Sequence, residues 1–96
     1  MPSNFAAQAY DAGLLIDSAV ASTGGKVSNK DGLRRALRAA DFASTRGRFR
    51  YNTNQFPIQD FHLVQAIRRA DGNYVTSARR KIFADYADRQ ASKCPL

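Results

Sequence analysis

Few side chains in this sequence could do chemistry, and their spacing matters more than their number. His62 is the only histidine and Cys94 the only cysteine. His62 lies between Phe61 and Leu63 in an apolar, strand-like run, where a histidine is read as a structural residue rather than a general base. Neither residue has a second histidine or cysteine to complete a metal site, so no metal is expected. All eight acids are aspartates, and Asp11, Asp17 and Asp31 have no spacing that suggests a working carboxylate pair. Ser3, Ser18 and Ser22 have no base beside them and no elbow motif. Gly24-Gly25 follows no strand and precedes no lysine-serine pair, so it reads as a helix stop rather than a phosphate loop. No catalytic residue, cofactor or metal is assigned, and the chain reads as a non-enzyme.

The other chemistry on offer is positive charge. The formal charge is +7, with 15 Lys and Arg. The stretches "LRRALRAAD", "STRGRFRYN" and "AIRRADG" set arginines beside aromatics, which in principle suits phosphates and stacked bases. In "RGRFRY", however, Phe49 and Tyr51 alternate away from Arg48 and Arg50, as core aromatics do, and no nucleic-acid-binding signature is complete. A basic nucleic-acid-binding module therefore stands only as an alternative. No nucleic acid is named as a partner.

The elements that must carry these residues follow from periodicity. Phe5, Ala9, Ala12, Ile16 and Val20 recur at helical spacing and predict one buried stripe, with Asp11, Asp17 and Ser18 facing elsewhere. Gly24-Gly25 ends that helix. Ser28, with Asp31 three residues on, predicts the cap of a second helix whose stripe is Leu33, Ala36, Leu37 and Ala40. Arg48 to Asn52 alternates as a short strand. Pro57 holds Phe56 extended and opens a strand from Ile58 to Arg69. That run is about twelve residues, where strands usually run about five or six. Apolar groups on both its faces predict cover on both sides. Asp71-Gly72 predicts a two-residue hairpin turn, Tyr74-Val75 a short return strand, and Ile82, Phe83, Tyr86, Ala87 and Gln90 a last amphipathic helix. Two helices cannot cover both faces of so long a strand, so in a chain of 96 residues apolar surface is expected to stay exposed. Homodimerisation of the isolated chain, by exchange of the long strand, is expected to follow.

The ordered set "PSNFAAQAYDAGLLIDSAV", "VSNKDGLRRALRAADFASTRGRFRYNTNQFPIQDFHL" and "ADGNYV" resembles the C-terminal part of periplasmic substrate-binding proteins of ABC importers. The branch is that of the branched-chain amino acid (leucine/isoleucine/valine-binding) type, and the likeness runs from Pro2 to Cys94. It implies an α/β chain that is a C-terminal fragment of a type I periplasmic-binding-protein fold, ordered helix, helix, strand, long strand, short strand, helix. Residues 1–55 would belong to the first lobe, 56–63 to a hinge crossing at Phe56, Pro57 and Ile58, and 64–96 to the second lobe as a β-hairpin and C-terminal helix. It further implies a small solute, an amino acid or aromatic acid, held in an inter-lobe cleft and delivered to a membrane permease. The setting would be periplasmic, or extracellular and membrane-anchored. Phe5, five positions before Tyr10-Asp11-Ala12, would contact the ligand, and Tyr10 is the weaker candidate. A ligand-sensing receptor or regulator domain is the remaining alternative, because fold does not fix function. Arg48, His62 and Arg79-Arg80-Lys81 depart from the pattern of the relatives.

Overall fold

The computed structural model describes residues 3–94. Helix α1 spans Asn4–Ser22, helix α2 Lys30–Ala39, strand β1 Phe49–Tyr51, strand β2 Pro57–Arg68 and strand β3 Tyr74–Tyr86, and a 3-10 turn covers Ala91–Lys93. The strands form one antiparallel sheet in the order β1-β2-β3. No described helix is long and apolar enough to cross a membrane.

Helix α1 starts where the sequence lets it. The Ser3 side chain accepts from the Ala6 N–H at 3.3 Å, an N-cap contribution of about 1 kcal/mol. It stops at Gly24-Gly25: the Gly25 N–H reaches back to the Val20 carbonyl at 3.0 Å with φ at +77°, a left-handed stop that glycine takes without steric cost. The expected Ser28 cap is corrected by one residue. The Asn29 side chain accepts from the Gly32 N–H at 3.1 Å, and Asp31 pairs with Arg34 at 3.0 Å instead of reaching back. Asparagine is as good a cap as serine, so the sequence offered two adjacent starts.

The buried face of α1 is not the predicted stripe. Phe5, Ala9, Ala12 and Ile16 are exposed and only Val20 of the stripe is half-buried, as is Leu14 beside it, whereas Asp11 and Ala19 are buried and Leu15 and Ser18 half-buried. Ala19 and Ala40 are small enough to let α1 and α2 pack closely, and the Ser18 hydroxyl donates to the Asp41 carbonyl. A helix apolar on most of its circumference has two candidate faces, and the pattern alone does not choose which one this chain covers.

Strand β1 pairs Phe49 with Gln59, Arg50 with Ile58 and Tyr51 with Pro57. Phe49 and Tyr51 point inward, as their alternation predicts, and join Phe42 in an aromatic row with ring centres 5.4 and 5.1 Å apart. β2 has the expected length. The hairpin turn is longer than predicted: Arg68 pairs with Tyr74, leaving five residues in the loop, closed by Arg69 N–H to Asn73 carbonyl at 2.8 Å. A two-residue turn of the favoured kind needs left-handed backbone at both centres. Here Gly72, at φ +85°, supplies it and Asp71 does not.

The predicted last helix is also corrected. Ile82 to Tyr86 continue β3, which runs 13 residues instead of stopping as a short return strand. Three register shifts explain why the sequence misleads. Between Gln59 and Phe61 the partners run from Tyr86 to Phe83, and further shifts follow at Phe61/His62 and Leu63/Val64. Each inserts an extra residue into β3, so Phe83 and Tyr86, three apart, share one face of the sheet, with Tyr86 edge-on to Phe61 at 5.6 Å. Bulges turn a period of two into a spacing of three, which counterfeits a helix.

The hairpin leaves the packed body. The molecule measures 52 × 33 × 16 Å, and Leu63, Val64 and Phe83 are 46, 55 and 50% exposed. The long strand is not enclosed by this chain's own helices, and the expected exposed apolar surface is present on both faces of the hairpin. At the end of β3 and just beyond it the chain returns to the body: Arg50 pairs with Asp85 at 3.2 Å and the Asn54 amide donates to Asp88 at 2.7 Å.

Candidate functional site

The turn after α2 and the first turns of α1 build one junction around Asp11. Ser44 Oγ donates to Asp11 Oδ2 at 2.6 Å, Thr45 N–H and Oγ1 to Oδ1 at 2.8 and 2.9 Å, and Arg46 Nε to Oδ2 at 2.9 Å. Burial alone would raise the Asp11 carboxyl. The hydrogen bonds from Ser44, the Thr45 N–H, Arg46 and the Thr45 hydroxyl outweigh it and hold the group at about 2. Donation to the ionised form is what stabilises it. Arg46 then extends outward: Nη1 donates to Gln59 Oε1 at 3.2 Å, and its guanidinium lies 5.0 Å from the centre of the Phe49 ring. One carboxylate thus ties α1, the 44–46 loop and β2 together. Asp11, set aside in the sequence reading, is the most buried polar residue described. Its signal was an aspartate in an apolar helix face with a Ser-Thr-Arg run of donors downstream.

Beside this junction a cleft of about 480 Å³ opens between the start of α1 and the cleft-side face of the hairpin. Asn4, Gln8 and Arg46 line one side, and Asp60, His62 and Thr76 the other. Alternation along β2 sends Asp60, His62 and Val64 to the same face. Lys81 forms an ion pair with Asp60, and the Asp85 N–H donates to Asp60 Oδ1 at 2.9 Å. Lys81 first, then that N–H, hold the Asp60 carboxyl below its ordinary range. Asp85 itself adopts a positive φ of 47° inside the first bulge.

The ligand candidates from the sequence are not among the residues that line the cleft. Phe5 is 81% and Tyr10 62% exposed. Phe5 follows Asn4, which lines the cleft, directly in sequence. Five helical positions turn the chain so that Phe5 and Tyr10 point about 140° apart, so they do not share a surface. Of the hinge candidates, Phe56 is exposed, while Pro57 and Ile58 are half-buried and paired to β1. Proline is tolerated there as the first residue of a strand. His62, a departure in the sequence, lines the cleft. Among the described residues no cluster of three metal-ligating side chains occurs.

Comparison with known proteins gives one informative likeness. No family model matches, and no curated protein matches. A solved structure of a solute-binding protein of an ABC transporter from R. palustris, in complex with benzoate, is 35% identical with a TM-score of 0.69, over 88% of this chain. The chain spans 22% of that protein's length. The three-stranded sheet and two helices match part of a periplasmic-binding-protein fold.

Proposed function

We propose that this chain, by sequence and fold a segment of an ABC-transporter solute-binding protein, supplies part of both sides of a ligand cleft between two lobes. The whole protein would be a periplasmic or membrane-anchored extracellular receptor that closes on a small solute and hands it to a membrane permease. The observation that carries this is the likeness over 88% of the chain to a transport protein, rather than an enzyme, that holds benzoate. The cleft between α1 and the hairpin is where the two lobes would enclose ligand, since such sites are concave and lie at domain boundaries.

Residues 1–55 would serve the first lobe, 56–63 the crossing and 64–96 the second lobe. Phe56, Pro57 and Ile58 would begin the crossing, and the irregular pairing just beyond, from Gln59 to Val64, is backbone that absorbs rotation at an element's edge. Phe5 would pack on the apolar body of the solute. The solute favoured is an aromatic carboxylate, on the strength of the benzoate-bound neighbour. A branched-chain amino acid is the second reading, favoured by the resemblance in the ordered motifs and equally able to use Phe5.

Calorimetric titration of the full-length protein with benzoate and with leucine tests this. Saturable heat with benzoate, and weaker or none with leucine, is expected. Saturable binding of leucine alone transfers the assignment to amino acids, and no binding of either removes the proposed solute class.

A further inference from the structure

Strand β3 is the outer strand of the sheet. It pairs with β2 along one side, and among the described residues no strand pairs with its other side. An open edge of 13 residues is a template for a strand from another chain, and natural proteins protect such edges with bulges and with charge. β3 carries both. Its register shifts against β2 all put the extra residue on β3, which bends the strand away from a straight partner. Arg79-Arg80-Lys81 sits among these shifts, and Arg80 is the middle residue of the strand. All three are exposed. Lys81 pairs with Asp60. Arg79 Nε donates to the neutral Gln65 at 2.8 Å, and no described carboxylate pairs with Arg79 or Arg80. The register sets Arg80 opposite Leu63 and Lys81 opposite His62, so these two cations lie on opposite faces of the hairpin. A strand approaching the edge meets a cation on either face.

The middle position matters because of symmetry. Two copies joined edge to edge about a twofold axis contact each other reciprocally, residue i on j and j on i. Full overlap of two β3 strands therefore puts Arg80 opposite Arg80 and each Arg79 opposite a Lys81. Like charges directly opposite one another destabilise a strand pair, and sliding the cations clear of one another shortens the overlap. We infer that Arg79, Arg80 and Lys81 form a charge guard on the open edge of β3, which keeps it from pairing with the same edge of a second copy. Ile82 and Phe83 beside the guard are exposed, so an unguarded edge would also bring apolar side chains together.

The test is sedimentation velocity on the full-length protein in about 0.1 M and about 1 M salt, where charges are screened beyond about 10 and about 3 Å. The double substitution Arg79→Thr/Arg80→Thr removes two cations, keeps the Lys81–Asp60 pair and places a strand-favouring residue at both positions. An unchanged thermal midpoint is its folding control. At the lower salt it should raise the self-association constant by about tenfold or more over the native protein, and at the higher salt the difference should narrow. Hydrogen exchange in the associated variant should show new protection in β3 and none in α1. Arg68→Thr/Arg69→Thr removes the same charge from the end of the inner strand and should leave association at the native level. A folded Arg79→Thr/Arg80→Thr protein that associates no more than the native one overturns the inference, as does native protein that already pairs through β3 at the lower salt. Equal association of the Arg68→Thr/Arg69→Thr control also overturns it, since total charge rather than the edge would then be at work.

Discussion

Replacing Asp11 with asparagine removes one negative charge from the centre of the α1–loop–β2 junction while keeping nearly the same volume. The amide oxygen can still accept from Thr45, but the amide nitrogen now faces the Arg46 Nε, donor against donor, at a site 2.9 Å away. Removing one member of a buried pair typically costs about 3 to 5 kcal/mol. Arg46 keeps 27% of its side-chain surface exposed and can partly resolvate, so about 3 kcal/mol is expected. The pH dependence gives an independent check. The Asp11 carboxyl drops from an ordinary 3.8 to about 2 on folding, which at 1.36 kcal/mol per unit makes its ionisation worth about 2.4 kcal/mol to the folded state. Because the folded value is the lower one, that stabilisation is complete above about pH 5. It is lost as pH falls toward 2, with about 1 kcal/mol gone by pH 3. Urea denaturation of the full-length protein and of Asp11→Asn, followed by fluorescence at pH 7 and pH 3, measures both quantities. The gap between them should narrow by about 1 kcal/mol at the lower pH. A gap that stays constant between the two pH values would show that shape, not charge, is what the junction needs, and the electrostatic account would be wrong.

Two further outcomes follow from positions outside the core with different reasons to matter. Phe5→Ala should leave the unfolding midpoint of the full-length protein unchanged within about 0.5 kcal/mol, because the ring is 81% exposed in this chain. It should weaken benzoate binding by about tenfold or more, and calorimetry showing undiminished affinity would remove Phe5 from the ligand site. Gly72→Ala should destabilise the hairpin by about 1 kcal/mol, since its φ of +85° disfavours any Cβ. Faster amide exchange at Tyr74 and Arg68, with exchange in α1 unchanged, is the expected signature.

The parts of the fold that were legible in the sequence were those set by local chemistry. Gly24-Gly25 after an apolar run, the alternation around Phe49 and Tyr51, and Pro57 opening a long strand each act within a few residues, and each element appears where its signal placed it. What failed depends on partners far along the chain. The face of α1 was misjudged because burial of Asp11 needs donors from Ser44, Thr45 and Arg46, more than thirty residues away. Read alone, an aspartate is assigned to water. The end of β3 was misjudged because a short apolar run is ambiguous between helix and strand, and what decides it is the open edge of β2 beside it.

The two misreadings meet at the same place. Gln59 accepts from Arg46, so it belongs to the Asp11 junction, and it also marks the first register shift of the β2–β3 pairing. On the body side of Gln59 the backbone is held by β1 and by a buried ion pair. On the far side, three bulges in succession interrupt the ladder, with Asp85 at positive φ and the strands linked by the Lys81–Asp60 pair, the Asp85 N–H on Asp60 and Arg79 on Gln65. A boundary of that kind would let a strand rotate as it leaves one body without disturbing the packing behind it, next to the cleft that Asp60 and His62 line. If β2 is the crossing between lobes, the Asp11 junction is the anchor against which it turns. Loosening that anchor by Asp11→Asn would then weaken ligand binding even though Asp11, behind Arg46, touches no ligand.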